Sequence, residues 1–292
     1  MSRSATVVAP RHGTHALAAL LCVGWPAAML AIFVAVPFVL MVRVSLAPFD
    51  TAELWGHGVT LKAFAALNDH GVGKALFYSV TLALAVAIAS IAIAYPLTWF
   101  ISRMRKRMQV CWLIFLLTTL SLSDVLVTFS WQVMLARRLY ISQFLIWLGV
   151  LEKTDSLVPG IGAVLCSLLY ISIPFGVLLL YPALSRLDQS IVEAARTMGA
   201  TATRTFFGVV VPMTRAPIIM AIVLSMVSAM GAYTAPLVLG RPETWTLSVL
   251  IGKTALSAQD FPASAAMAVV LLAVTLLIGG ICSLMLKKEG RP

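Results

Sequence analysis

Few side chains inside the long apolar runs of this chain can do chemistry. Asp124 is the one acid deep within such a run. A carboxylate near the middle of a bilayer costs on the order of 2.5–3.5 kcal/mol, so it needs water or a partner. Three readings stand for it: a group that lines a polar path and favours a cationic solute, one end of a structural hydrogen bond or ion pair to a companion subunit, or a residue at a helix end nearer the interface than its place in the run suggests. Trp131 and Tyr233 are aromatic candidates for the same path, because their ring faces attract an amine. Packing or interfacial roles fit them equally well. His12, His15, His57 and His70 fall outside the runs and no H-E-x-x-H occurs, so no intramembrane haem or copper site and no zinc hydrolase is expected. Cys22, Cys111, Cys166 and Cys282 stand singly in apolar surroundings and read as small buried hydrophobes rather than a metal or disulfide set. Gly252-Lys253-Thr254 resembles the end of a phosphate-binding loop, but Leu247 stands where the first glycine belongs; Gly160 and Gly162 lack the third glycine, Leu165 taking its place. No metal, cofactor or nucleotide site is expected on this chain, and if ATP drives it another subunit binds the ATP.

The elements that position these residues are membrane helices. Of 292 residues 61% are hydrophobic and 11% charged, against about 25% charged in soluble domains. Six runs, 16–42, 75–102, 108–136, 156–185, 216–240 and 261–286, each exceed the roughly 20 residues a spanning helix needs. The first is too long for the 7–15-residue core of a cleaved signal peptide and is expected to stay as a span, kinked or ended by Pro26 and Pro37. The expected class is an all-α integral membrane protein with one six-span domain over 16–286 and polar tails at 1–15 and 287–292. Ala83/Ala87 and Ala85/Ala89 are small-residue pairs that allow close helix approach. Both tails, the Arg103–Arg107 cluster and the 186–215 loop hold thirteen of the 21 Lys and Arg, and the three opposite loops hold eight. The positive-inside bias makes both termini and the 186–215 loop cytoplasmic. The net charge of +10 is thus an orientation signal facing membrane lipid, with no nucleic acid implied. On an unbroken helix Asp124 lies roughly 24 Å from the start of its run and residues 231–234 about 22–27 Å from theirs, which gives the two stretches a common depth.

The 186–215 loop carries its own pattern. Glu193-Ala194-Ala195 is followed after three residues by Gly199, then after nine by Val209-Val210-Val211-Pro212. Leu187, Ile191, Ala194/Ala195 and Met198 form an apolar stripe at helical spacing. Ser190 with Glu193 reads as a capping box, and Gly199 suits the position just past a helix end, where positive φ costs little. The expectation is a short helix, a glycine turn and a second short stretch bearing Phe206 and Phe207. It is either a helix lying on the bilayer surface or one that docks into a partner protein.

This spacing resembles the cytoplasmic loop of the permease subunits of bacterial binding-protein-dependent ABC importers. Thr60-Leu61-Lys62-Ala63-Phe64, Tyr78-Ser79-Val80, Tyr95-Pro96-Leu97 and Phe261-Pro262 with Ala265-Ala266 also match. Trp131, the segment Tyr140 to Gly149, Pro236-Leu237-Val238-Leu239-Gly240 and the Phe261-Pro262 stretch are similar to the spermidine/putrescine permeases in particular. The sequence departs from them at Val127 and Thr128, where relatives often carry Arg, and at Ala232, where they often carry an acid. The resemblance implies a bacterial inner-membrane, non-catalytic subunit, with ATP and Mg held by a cytoplasmic ATPase dimer, a second permease subunit of different sequence and an external solute-binding protein. Glu193, Ala194, Ala195, Gly199 and Pro212 then form the coupling site, with Pro212 opening the fifth span. A polyamine or similar organic cation is the expected solute, with opines, aminophosphonates, ferric ion or thiamine as alternatives. A secondary transporter or a membrane scaffold is the reading from another class.

Overall fold

The computed structural model describes residues 12–50, 56, 58–67, 71–135 and 158–289, and every regular element among them is helical. After α1 (His12–Ser45) and a single turn at Lys62–Ala65 come α2 (Val72–Ser102), α3 (Lys106–Leu120), α4 (Asp124–Met134) and α5 (Ile161–Ser185). There follow α6 (Gln189–Thr197), α7 (Ala202–Met213), α8 (Arg215–Met230), α9 (Thr234–Leu239), α10 (Leu247–Leu256) and α11 (Phe261–Glu289). The Tyr140 to Gly149 segment, His57, His70 and the outer parts of both tails lie outside the described residues.

The centre of the bundle is the pairing of α2 with α5, onto which α8 packs. Small residues make this possible. Ala83, Val86, Ala87, Ser90, Ala94 and Thr98 form the buried stripe of α2. A Cβ added at Gly176 on α5 would lie 2.9 Å from the Ile91 side chain and 3.1 Å from that of Ala94. Of the two small-residue pairs expected on this helix, Ala83/Ala87 is the buried one, while Ala85 is exposed. The buried hydroxyls of α2 bond back to their own helix: Ser90 donates to Ala87 O at 3.1 Å and Thr98 to Ala94 O at 2.6 Å. α1 runs through both Pro26 and Pro37 without ending. It packs on α11, and from Gly24 to Leu40 it exposes its apolar surface all round, as a helix against lipid does. Cys111 and Cys166 are exposed on the chain taken alone, contrary to the expected burial; an apolar run facing lipid gives a thiol no reason to turn inward.

Among the described residues four helical stretches are long and apolar enough to cross a bilayer: Gly24–Ser45, Val72–Ser102, Ile161–Ser185 and Phe261–Cys282. The third and fifth runs differ from the continuous helices expected. α3 and α4 meet at 86° across residues 121–123, and α7 meets α8 at 73° at Thr214. The bend at Thr214 lies just ahead of the expected start of the fifth run at 216, and the run itself breaks at Gly231 before α9. Depth counted along an unbroken helix therefore does not apply to Asp124 or Tyr233. A third difference is α10, a ten-residue helix within the stretch 241–260 expected as a loop. Its first free amide, Leu247 N–H, donates to the buried Ser79 hydroxyl at 2.7 Å, and Ser248 donates to Ala232 O at 2.6 Å. These bonds tie α10 to α2 and to the break before α9. Gly252-Lys253-Thr254 lies within this helix, so no phosphate loop forms there.

Candidate functional site

The polar segment between α5 and α8 is fixed at both ends of its first helix. Asp188 caps α6, its carboxylate accepting the Ser190 amide at 2.9 Å. That backbone bond, helped by the Ser190 side chain, holds the Asp188 carboxyl below its ordinary range. The cap is thus two residues earlier than the expected Ser190–Glu193 box: an Asp serves the free first-turn amides as well as Ser does, and Glu193 is left exposed within the helix. At the other end Gly199 has φ +86°. Its amide donates to Arg196 O at 2.9 Å and the Ala200 amide to Ala195 O at 3.1 Å, the paired bonds of a Schellman end.

The apolar residues of α6 divide into two faces. Val192 and Ala195 are buried, Val192 within the cluster that holds Ile101, Leu184 and Val210. Ile191, Ala194 and Met198 face away, Met198 at 83% exposure. The expected single stripe is therefore an inner anchor and an outer, unpartnered strip, and the two alanines separate: Ala195 packs inward and Ala194 outward. Phe206 on α7 wedges against Tyr95 and Trp99 of α2, ring centroids 5.4 and 5.9 Å apart, while Phe207 is exposed. Arg103 stacks on Trp99 at 4.0 Å. Partial burial, then Arg196, pull its pKa down and Glu193 pushes it back up. A guanidinium stays charged at any working pH, so Glu193 serves as a nearby counter-charge to a partly dry cation.

Pro212 sits before the bend rather than at the start of the fifth helix, which begins at Arg215. It has no amide to offer the Gly208 carbonyl, and the stretch Phe206–Val210 just before it is wound as a π-helix. At the bend, Thr214 donates its hydroxyl to Val210 O at 2.8 Å and lies 2.6 Å from the Tyr95 hydroxyl. The corner between α7 and α8 is thereby pinned to α2.

Of the candidate path residues, Asp124 opens α4 directly after the break. It is half-buried, in a first turn where the helix dipole favours a carboxylate. Val127 and Trp131 follow at i+3 and i+7, on the same face. Trp131 lines a cavity of about 360 Å³ with Leu126, Val127, Ser130, Met134 and, from α5, Tyr170. Tyr233 is not in that cavity. Its ring lies over Gly252 of α10, so close that any Cβ there would collide with it. α4 does pack against α9, so the two broken runs meet, but through Thr234–Leu239 rather than through Tyr233.

Sequence reasoning missed three positioning groups. Gln109 donates to Ser102 O at 2.9 Å and Met104 O at 2.8 Å and accepts from the Tyr181 hydroxyl at 2.8 Å, clamping α2, α3 and α5 beside α6. An amide just inside an apolar run, next to a basic cluster, was its only signal. The Tyr95–Thr214 pair and Tyr170 had none, because their partners are remote in sequence. Among the described residues no cluster of His, Cys, Asp or Glu could hold a metal.

Residues 58–288 match the family of binding-protein-dependent transport system inner membrane components. The spermidine/putrescine transport system permease protein PotB of Escherichia coli strain K12 is 28% identical over 252 residues, covering 86% of this chain and 90% of that protein. A bacterial ABC transporter that imports the acidic polysaccharide alginate shares the fold at a TM-score of 0.75 and 15% identity, covering 93% of this chain and 96% of the other. The alginate transporter has also been solved in complex with its pentasaccharide-bound periplasmic protein, at a TM-score of 0.74 and 15% identity over 93% and 95% of the two chains.

Proposed function

On the premise that this chain belongs to the binding-protein-dependent transport system inner membrane components, as residues 58–288 establish, we propose that it is the permease half of a polyamine importer. In this reading six spans cross the inner membrane with both termini in the cytoplasm, α3–α4 and α8–α9 each counting as one broken span. A different permease chain completes the path, an external binding protein delivers the solute, and a cytoplasmic ATPase dimer holds ATP and Mg.

The observation that carries the coupling role is the two-faced α6. Both of its ends are capped and Val192 on its inner face packs into the body, while Ile191, Ala194, Met198 and the Glu193 carboxylate stay open. That is what a helix needs to seat in a groove on a partner and pass its motion on. When the ATPases close on ATP they push α6; the Phe206 wedge and the Tyr95–Thr214 bond carry the push into α2 and α8, and the helices rock as nearly rigid bodies. The polyamine reading rests on the likeness to PotB and on the chemistry of α4. Asp124 offers a carboxylate, and Trp131 with Tyr170 offers ring faces to an ammonium group.

The test is a thermal-shift titration of the cognate binding protein with putrescine, spermidine, opines and aminophosphonates. A shift with polyamines alone is expected; a shift confined to another class refutes the solute and leaves the coupling role standing. Asp124→Asn is then expected to raise the KM for polyamine uptake with assembly intact. Unchanged kinetics would assign Asp124 to structure.

A further inference from the structure

The start of α3 carries an anion-attracting cluster that the coupling role does not use. Arg105, Lys106 and Arg107 are consecutive and exposed, and the first turn of α3 contains no acid to offset them. Directly below, Met108, Cys111, Trp112 and Phe115 recur at i, i+3, i+4 and i+7, so they share one face of the helix. They line an apolar groove of about 310 Å³. Its floor is shaped by Trp112 and Phe115, whose rings stand edge to face with centroids 6.0 Å apart. Met108 and Phe115 are exposed, as is Cys111. The inward face of the same helix is taken up by Gln109 and Leu116, which are buried, so the groove belongs to the outer side. From Met108 to Phe115 it runs about 10 Å along the axis, roughly a third of the hydrocarbon thickness.

We propose that this groove and the basic residues at its head form a binding site for one anionic phospholipid, with the phosphate and headgroup at Arg105–Lys106–Arg107 and an acyl chain against Met108, Cys111, Trp112 and Phe115. The two halves of the site match the two halves of the ligand in order and polarity. The positive end meets the membrane surface, and the apolar groove begins one turn below it. A zwitterionic lipid fits the groove equally well, but its headgroup offers no net charge to three cations. The lipid braces α3 from outside, opposite the Gln109 clamp, at the base of the coupling segment. The site rests on α3 being the first half of a span and is independent of which solute is carried.

The experiment is native mass spectrometry of the assembled transporter, purified in mild detergent and titrated with phosphatidylglycerol or phosphatidylethanolamine of identical chains. Preferential retention of one phosphatidylglycerol is expected. Each surface Lys or Arg near an anionic membrane contributes about fivefold in affinity, so R105Q/K106Q/R107Q is expected to lose on the order of a hundredfold. C111F fills the groove and leaves the charges; it loses about fourfold per methylene displaced, whereas C111A retains the lipid. Because C111F and C111A keep the basic cluster, they answer the question even if the triple variant fails to assemble. Equal retention of both lipids, or full phosphatidylglycerol binding by C111F, overturns the site. Cys111 in the assembled transporter is also expected to react with a membrane-soluble maleimide and not with a charged, water-soluble one. Reaction with the charged reagent would remove the span reading itself, and so is distinguishable from loss of the lipid site alone.

Discussion

The hydrogen bond between Tyr95 and Thr214 should be asymmetric when cut, and the structure says in which direction. Tyr95 is 6% exposed and Thr214 3%, so water does not replace a lost partner. The Thr214 hydroxyl proton is committed to Val210 O at 2.8 Å, which makes Tyr95 the donor across the 2.6 Å contact. Tyr95→Phe removes the donor and leaves Thr214 with its own acceptor, a loss of about 1 kcal/mol. Thr214→Val keeps the branched shape but leaves a buried Tyr95 O–H with nothing to bond, at a cost of about 1–3 kcal/mol. Val210 O is not orphaned, because it still accepts the Thr214 amide at 3.1 Å. Thr214→Val is therefore expected to be the more damaging single change. The double variant should fall near Tyr95→Phe rather than at the sum of the two, since it removes both the donor and the need for it. Thermal unfolding of the purified transporter ranks the three variants. ATP hydrolysed per solute imported in proteoliposomes reports whether the corner between α7 and α8 transmits motion, and this ratio should rise in the same order. A Thr214→Val variant no worse than Tyr95→Phe, or a double variant that sums both losses, would refute the argument.

Three further outcomes follow from the geometry. Glu193→Lys should abolish uptake with the protein still in the membrane, because it places a cation on the open face of α6 beside Arg103 and Arg196; uptake assayed against membrane abundance checks this. Gly252→Ala should destabilise the transporter by forcing the Tyr233 ring off α10, and Tyr233→Ala in the same chain should recover much of the loss in a thermal melt. The Asp188 cap should be indifferent to pH through the neutral range. Its folded-state pKa is depressed, so its contribution is complete above the unfolded value and is lost only as pH falls below about 4. Coupled ATPase activity of an Asp188→Asn variant, which keeps a capping oxygen, should match the parent at pH 7 and resist acid better.

The all-helical class and the local shape of the 186–215 loop were legible in the sequence, because both depend on short-range physics. Charge-free runs longer than a bilayer is thick can only become helices there, and the bias of Lys and Arg between loops points to one orientation. Within the loop, Gly199 could be assigned to its turn because only a positive φ ends α6 that way, a local demand written at one residue. Which side chains face one another depends on contacts between distant segments and was not legible in the sequence. Hydrophobic spacing gave one stripe on α6, yet packing against Ile101 and Val210 turned Val192 and Ala195 in and left Ile191, Ala194 and Met198 out. The breaks at 121–123 and Gly231 were hidden because each lies inside one long, largely apolar run. A break frees backbone groups, and the side chains that steady it can be remote: Ser248 bonds Ala232 O after Gly231, and the Tyr95 hydroxyl meets that of Thr214 at the corner. For the same reason Trp131 gained Tyr170 as its neighbour and lost Tyr233, which instead rests on the one residue of α10 without a side chain.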